Sequence, residues 1–243
     1  MGLHAWQTAL AETLSARASR LTPSADAFDS AALTATEREW LAALPLAPGF
    51  EVTCDIQRWW RHFRVQSAAP LTLSALGPEL RRAVLDDFVE SCARPSSFFV
   101  REALRFLDFL LTREHESGVP HLAQVVAFER AMLVLSESVA LGVPAPPAET
   151  LPPTVQRHPH ADVVAFRAPP EQVIGALVGG RDLPPESPSE HWLLVAANLP
   201  NLARRASPLE VWFLQSAREP MPTLNHSALH SLWRAGALIP AGV

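Results

Sequence analysis

Apolar residues recur at helical spacing along the chain up to Gly142, and alternate strand-like only beyond it. The densest run is FVREALRFLDFLL. There Phe99, Val100, Ala103, Leu104, Phe106, Leu107, Leu110 and Leu111 cover well over half of a helix circumference. A second run, PHLAQVVAFERAMLVL, follows Gly118, a helix stop, and Pro120, suited to a first turn. The two runs predict an antiparallel helical hairpin from Phe99 to Leu135, with the remaining helices wrapped around it.

Four further helices precede it. Leu3, Trp6, Leu10 and Leu14 form one stripe, ending before Thr22-Pro23. Thr34 and Glu37 form a capping box for a short helix through Trp40, Leu41 and Leu44, which Pro45, Pro48 and Gly49 break. Asp55 can cap the next helix, with Ile56, Trp59, Trp60 and Phe63 as its inward face. Pro78 opens another, turning Leu80, Val84, Leu85 and Phe88 inward.

After Gly142 the texture changes. VPAPPAETLPPTVQRHPH has no periodicity and reads as a stiff connector. Beyond it, Asp162–Arg167 and His191–Ala197 read as strands around a short helix at Pro170–Val178. Leu199, Pro200 and Asn201 make a turn, and Leu202–Ala206 runs back as a hairpin partner. Ser207, Pro208 and Glu210 combine a capping hydroxyl, a first-turn proline and a capping glutamate, so VWFLQS is helix. Asn225 caps a last helix through Leu229, Leu232 and Trp233, closed by Gly236. The expected fold class is α+β, with an N-terminal all-α helical bundle over residues 1–142 and a proline-rich linker over 143–159. A small winged-helix-like α/β domain follows over 160–243.

Composition narrows the function. With 48% hydrophobic and 19% charged residues the chain reads as globular. All its basic residues are arginine, and the net charge of -5 argues against a large nucleic-acid footprint. Cys54 and Cys92 lack CxxC spacing and read as two buried thiols in a reducing compartment. MGLHAWQTALAETL carries no signal-peptide pattern, and no apolar run approaches a membrane span, so the expected location is cytoplasmic without a membrane partner.

Candidate chemistry is sparse. His226 and His230 lie at metal-binding spacing but lack a third ligand nearby, as does the pair His158 and His160. Glu114-His115-Glu116 reads as a solvated helix end. No GxSxG, P-loop or GxGxxG occurs. No catalytic residue, metal ligand or cofactor is therefore expected in this chain. Arg58, Trp59, Trp60, Arg61, His62, Phe63 and Arg64 form an aromatic and basic cluster with two readings. One is a helix with a tryptophan-rich inner face and a basic outer face. The other is an anchor for a protein partner, with Arg58, Trp59, Arg61, His62 and Arg64 as its contacts.

The segments HPHADVVAF and LLVAANLPNLARRASPLEVWFLQSA, after a helical domain and a proline-rich joint, carry a resemblance. They look like the partner subunits of multinuclear non-haem iron-dependent oxidases in ribosomal peptide biosynthesis, of the methanobactin type. The C-terminal part also resembles peptide-recognition domains of the pyrroloquinoline-quinone chaperone type. The resemblance implies a non-catalytic protein that binds the leader of a precursor peptide and presents its core to a TIM-barrel oxidase, which holds the iron. Carried over residue by residue, the leader would pair with Leu202, Ala203, Arg204, Arg205 and Ala206. Ala228, Leu229, Leu232 and Trp233 would face its groove. The alternative is a winged-helix DNA-binding regulator, although NHSALHSLWRAGAL offers a single arginine for phosphate contacts.

Overall fold

The structure, a computed structural model, describes residues 3–20, 33–92, 95–113, 118–140, 150–223 and 225–241. The fold is α+β, with helices concentrated in the N-terminal part and two three-stranded antiparallel sheets after them. Its compact units are Met1–Pro70 with Gly77–Phe106, and Leu71–Leu76 with Leu107–Val243.

The first unit holds α1 (Leu3–Ala18), α2 (Ala35–Ala43) and α3 (Pro48–Ala68), with most of α4 (Pro70–Ser91) and of α5 (Phe99–Leu111). Thr34 opens α2 through the expected capping box: its hydroxyl accepts from Glu37 N at 3.2 Å, and its own N–H donates to Glu37 Oε2 at 2.8 Å. Pro48 sits in the first turn of α3, where a missing N–H is harmless. It starts the helix that it was expected to keep apart, and Asp55 lies inside rather than at a cap. α4 breaks at Gly77, whose φ of 69° strains any residue with a Cβ. Pro78 then restarts the helix.

The facing of α3 reverses the expectation. Its inward residues are Phe50, Cys54, Arg61 and Val65, while Ile56, Trp59, Trp60 and Phe63 are exposed. Arg61 decides this. Its Nε donates to Glu102 Oε1 at 2.6 Å and its Nη1 to Val89 O at 3.1 Å, and the guanidinium stands 5.2 Å from the Phe88 ring centroid. Glu102 Oε2 in turn accepts from Ser96 N at 2.6 Å. Both side chains are essentially inaccessible. Turning α3 to bury its tryptophans would strand the Glu102 charge in the interior, which costs more than leaving aromatic rings in water. Neither Cys54, which is buried, nor Cys92, which is half-buried, is in a disulfide.

The second unit is built on a sheet of β2 (Asp162–Phe166), β3 (His191–Val195) and β4 (Ala203–Ala206), in that order. Both faces of β3 are covered. Leu193 and Val195 meet Val125, Phe128, Ala131 and Leu135 of α6 (Leu122–Ala140) and Val173 and Leu177 of α7 (Pro170–Gly179). Leu194 and Ala196 face Phe213 and Leu214 of α8 (Pro208–Ser216) and Leu229, Leu232 and Trp233 of α9 (Ser227–Arg234). Period-two alternation thus feeds two cores, one on each side. α6 also buries Glu129, whose carboxylate accepts from the first-turn amides of Leu71 at 2.7 Å and Thr72 at 2.8 Å. Burial raises its pKa above the ordinary carboxyl value.

Two expectations change here. The helices expected as one central hairpin serve different cores: Phe106 of α5 meets Phe88 edge-on in the first unit, whereas α6 covers the sheet of the second. Residues 143–149 of the expected linker, like Glu114-His115-Glu116, lie outside the described residues. Within its remainder Thr154–Arg157 is β1, the middle strand of a second sheet between β5 (Met221–Pro222) and β6 (Leu238–Pro240). Val155 is fully buried there. The flanking prolines hid a strand too short to show periodicity. The compact units divide after Pro70, after Leu76 and after Phe106.

Arg61→Ala is expected to lower stability by about 3–5 kcal/mol, because it leaves Glu102 charged, buried and without its cation. At a concentration dilute enough to keep the chain monomeric, Trp59→Ala should change it by less than about 1 kcal/mol, since the ring is exposed there. Urea unfolding of the two variants measures the contrast. Comparable losses would mean that the tryptophan face is the one holding α3.

Candidate functional site

β4 is the edge strand of its sheet, and the turn before it sets its register. Asn201 and Leu202 take φ of 55° and 60°, the left-handed region, and Leu202 O accepts from Ala196 N at 3.0 Å. Across the ladder Ala203 faces Val195, Arg204 faces Leu194, Arg205 faces Leu193 and Ala206 faces Trp192. In an antiparallel pair, alternate residues exchange both backbone bonds. Counting from Leu202, Arg204 and Ala206 bond to β3, while Ala203 and Arg205 turn their N–H and C=O to the open edge. The Arg205 carbonyl is met there by Arg204 Nη1 at 2.7 Å.

The two arginines leave the strand on opposite faces. Arg204 turns toward α8 and α9. Its Nη2 donates to Glu210 Oε1 at 2.6 Å and to Ser231 Oγ at 2.9 Å, and its Nη1 donates to Glu210 Oε2 at 3.2 Å. Glu210 Oε2 also accepts from Ser207 N at 2.9 Å and Ser207 Oγ at 3.0 Å, completing the expected capping box at the start of α8. Burial opposes ionisation of this carboxyl. The Arg204 guanidinium and the hydrogen bonds from Ser207 and Ser231 outweigh it, and hold the pKa at about 2. Arg205 turns the other way, where Nε donates to Glu171 Oε2 of α7 at 3.2 Å and Nη2 meets Oε1.

Between β4 and the outer face of α9 lies an open groove of about 660 Å³. Asn198, Leu199 and Arg204 line one side, and Ser227, His230, Ser231 and Arg234 line the helix side. Ala235 also lines it, and Gly236 follows with φ of 72°. A Cβ there would come within 3.1 Å of the Asn198 side chain, whose residue is tied by its N–H to Ala235 O at 3.0 Å.

Leu202, Ala203, Arg204, Arg205 and Ala206 are thus brought together at one edge. The residues expected on α9 point elsewhere: Leu229, Leu232 and Trp233 are buried in the core, and Ala228 is buried with them. Their spacing marks the inward face of the helix, so the groove falls to the opposite, polar face. The positions missed in sequence, Ser227, His230, Ser231 and Arg234, repeat at i, i+3, i+4 and i+7, which is the signal that could have found them. His226, rather than Asn225, caps α9, its Nδ1 accepting from Ala228 N at 3.1 Å. His158 is buried, and its Nδ1 accepts from His160 N at 3.1 Å; burial lowers its pKa, and His160 adds to the effect. Among the described residues no three His, Cys, Asp or Glu side chains converge where they could hold a metal ion.

Of the residues expected to contact a partner, only Trp59 is exposed. Arg61 is spent on Glu102. Arg58 donates to Ala18 O at 2.8 Å and Arg64 to Ser96 O at 2.9 Å. His62 is half-buried 3.5 Å from Asp86; burial lowers its pKa despite that carboxylate. The basic side chains of α3 bind inward because loop carbonyls and acidic groups there need donors. Among the described residues no helix is long and apolar enough to cross a membrane. No protein-family model matches the chain, and no curated protein matches its sequence.

Glu210 gives the site a pH signature. Its folded pKa of about 2 lies below its ordinary value of 4.5, so its stabilisation is complete above that value and is lost as pH falls toward 2. Glu210→Gln is expected to cost roughly 3 kcal/mol at neutral pH. The gap to the unsubstituted protein should close as pH falls through that window. Urea unfolding of both proteins across the acid range measures it.

Proposed function

We propose that this protein is a non-catalytic, cytoplasmic peptide-binding subunit. It holds the leader of a ribosomally made precursor peptide and presents the core to a separate iron-dependent oxidase. One observation carries the reading: β4 ends its sheet with the backbone groups of Ala203 and Arg205 turned outward, beside a polar groove on α9. An extended peptide can extend such a sheet by main-chain hydrogen bonds, with alternate side chains entering the groove. The motif resemblance over HPHADVVAF and the LARRASPLEVWFLQSA segment names the class of peptide and the oxidase partner.

The edge suits the task because little has to be ordered on binding. Arg204, Glu210, Ser207 and Ser231 clamp β4 to α8 and α9 before a peptide arrives, which keeps the entropic cost low. The arriving strand takes over the Arg205 carbonyl from Arg204 Nη1. Specificity then falls to His230 and Arg234 on adjacent turns of α9.

Proline at Arg205 removes an outward N–H and spares the bonds to β3, whereas Ala203, at φ of -147° after the left-handed Leu202, cannot take proline without distorting the turn. Arg205→Pro is expected to weaken binding of a labelled leader peptide by about tenfold or more. Proline at Arg204 should unfold the hairpin instead. Fluorescence anisotropy, with circular dichroism for folding, measures both. Unchanged affinity in folded Arg205→Pro would sink strand addition, and equal affinity for labelled duplex DNA would favour a regulator.

A further inference from the structure

α3 is apolar on two opposite faces, and its own unit covers only one. Phe50, Cys54 and Val65 are buried beside Arg61, while the opposite stripe Val52, Ile56, Trp59 and Phe63 stands in solvent. Spacings of four, three and four residues place that stripe on one line along the helix, the pattern of a helix-to-helix seam. Trp60, Phe98 and Phe99 widen it, and these seven side chains are between 38% and 66% exposed. The rings are already organised. Trp59 stacks on Phe63 at 5.4 Å and 10°, Trp60 meets both edge-on, and Phe63 meets Phe99 edge-on at 5.9 Å.

From this we infer that the face is covered by a second copy of this chain, in an antiparallel pair about a two-fold axis near residues 57 and 58. Two arguments select that occupant. The first is area. The seven side chains present about 700 Å² of apolar surface, near the roughly 800 Å² that each partner contributes to a stable interface. That exceeds the few hundred Å² ordinarily left uncovered on a monomer.

The second is size order along the stripe. It runs from small to large, from Val52 and Ile56 to Trp59 and Phe63. In an antiparallel two-fold pair Val52 faces Phe63 of the second copy, and Ile56 faces its Trp59. Every small aliphatic group then meets an aromatic ring, the alternation that fills an interface without voids. A parallel pair would set valine against valine and tryptophan against tryptophan, leaving a gap at one end and a clash at the other. Trp59, expected as a contact for a different protein, becomes the centre of a self-complementary seam.

Sedimentation equilibrium of the full chain tests this. The average mass should rise with concentration from 26.5 kDa to twice that value. Trp59→Asp and Ile56→Asp, each at an exposed position, should stay monomeric with unchanged circular dichroism. Val52→Phe and Phe63→Val should each weaken the dimer by about tenfold, and the double swap should restore it, because phenylalanine again meets valine across the axis. A wild-type chain that stays monomeric assigns the face to a different protein and overturns the inference. Folded aspartate variants that dimerise like wild type overturn it as well, and a double swap weaker than both singles overturns the antiparallel register. Peptide titration of the Trp59→Asp variant separates this from strand addition, because β4 lies in the other unit.

Discussion

A buried guanidinium and carboxylate held 2.6 Å apart fix the first unit of this protein. Arg61 reaches Glu102, Val89 O and the Phe88 ring from the middle of α3, so it joins α3, α4 and α5 at one point. Such a pair adds little net energy over a well-packed apolar one, but it strongly disfavours any arrangement that separates it. Its effect is orientation. With Arg61 inward, a line of aromatic side chains on the far side of α3 has to face out.

The second unit solves a similar problem with a carboxylate at its centre. Glu210 begins as a local device, the third residue of a helix whose cap is Ser207. The fold adds Arg204 from the neighbouring strand and, through that arginine, Ser231 from the next helix. A capping interaction thereby becomes a three-element clamp. β4 is held on one side by β3 and at its side chain by this clamp, while its outer edge pairs with no further strand among the described residues, the Arg205 carbonyl there being met by Arg204 Nη1. An edge strand left open in this way invites pairing. Here the edge is short and carries two arginines, which limits uncontrolled association while leaving room for one extended chain.

The two faces open to partners differ in chemistry. The groove beside β4 is lined by polar side chains, among them His230 and Arg234, to which the proposed peptide function assigns the discrimination. The exposed stripe of α3 is aromatic, with its rings already packed on one another, and in the inferred dimer shape supplies the selectivity. They lie in different compact units, so a substitution in one is a clean control for the other.

Local signals in the sequence determined the capping boxes at Thr34 and Ser207, the helix restart at Pro78, the strands at Asp162 and His191, and the hairpin that ends at Ala206. Each rests on residues within a few positions of one another, where backbone sterics and capping decide the outcome. Tertiary structure alone decided the rest. β1 is a strand because Val155 finds partners on β5 and β6, far along the chain. α3 carries apolar residues at helical spacing on two faces, so periodicity could not choose between them; a glutamate 41 residues away chose. On α9 the apolar stripe reads equally well as a groove wall or as a core face. Leu229, Leu232 and Trp233 became core because the buried face of β3 lay opposite them. A sequence states what a side chain prefers to touch, and only the folded chain settles which surfaces remain for a partner.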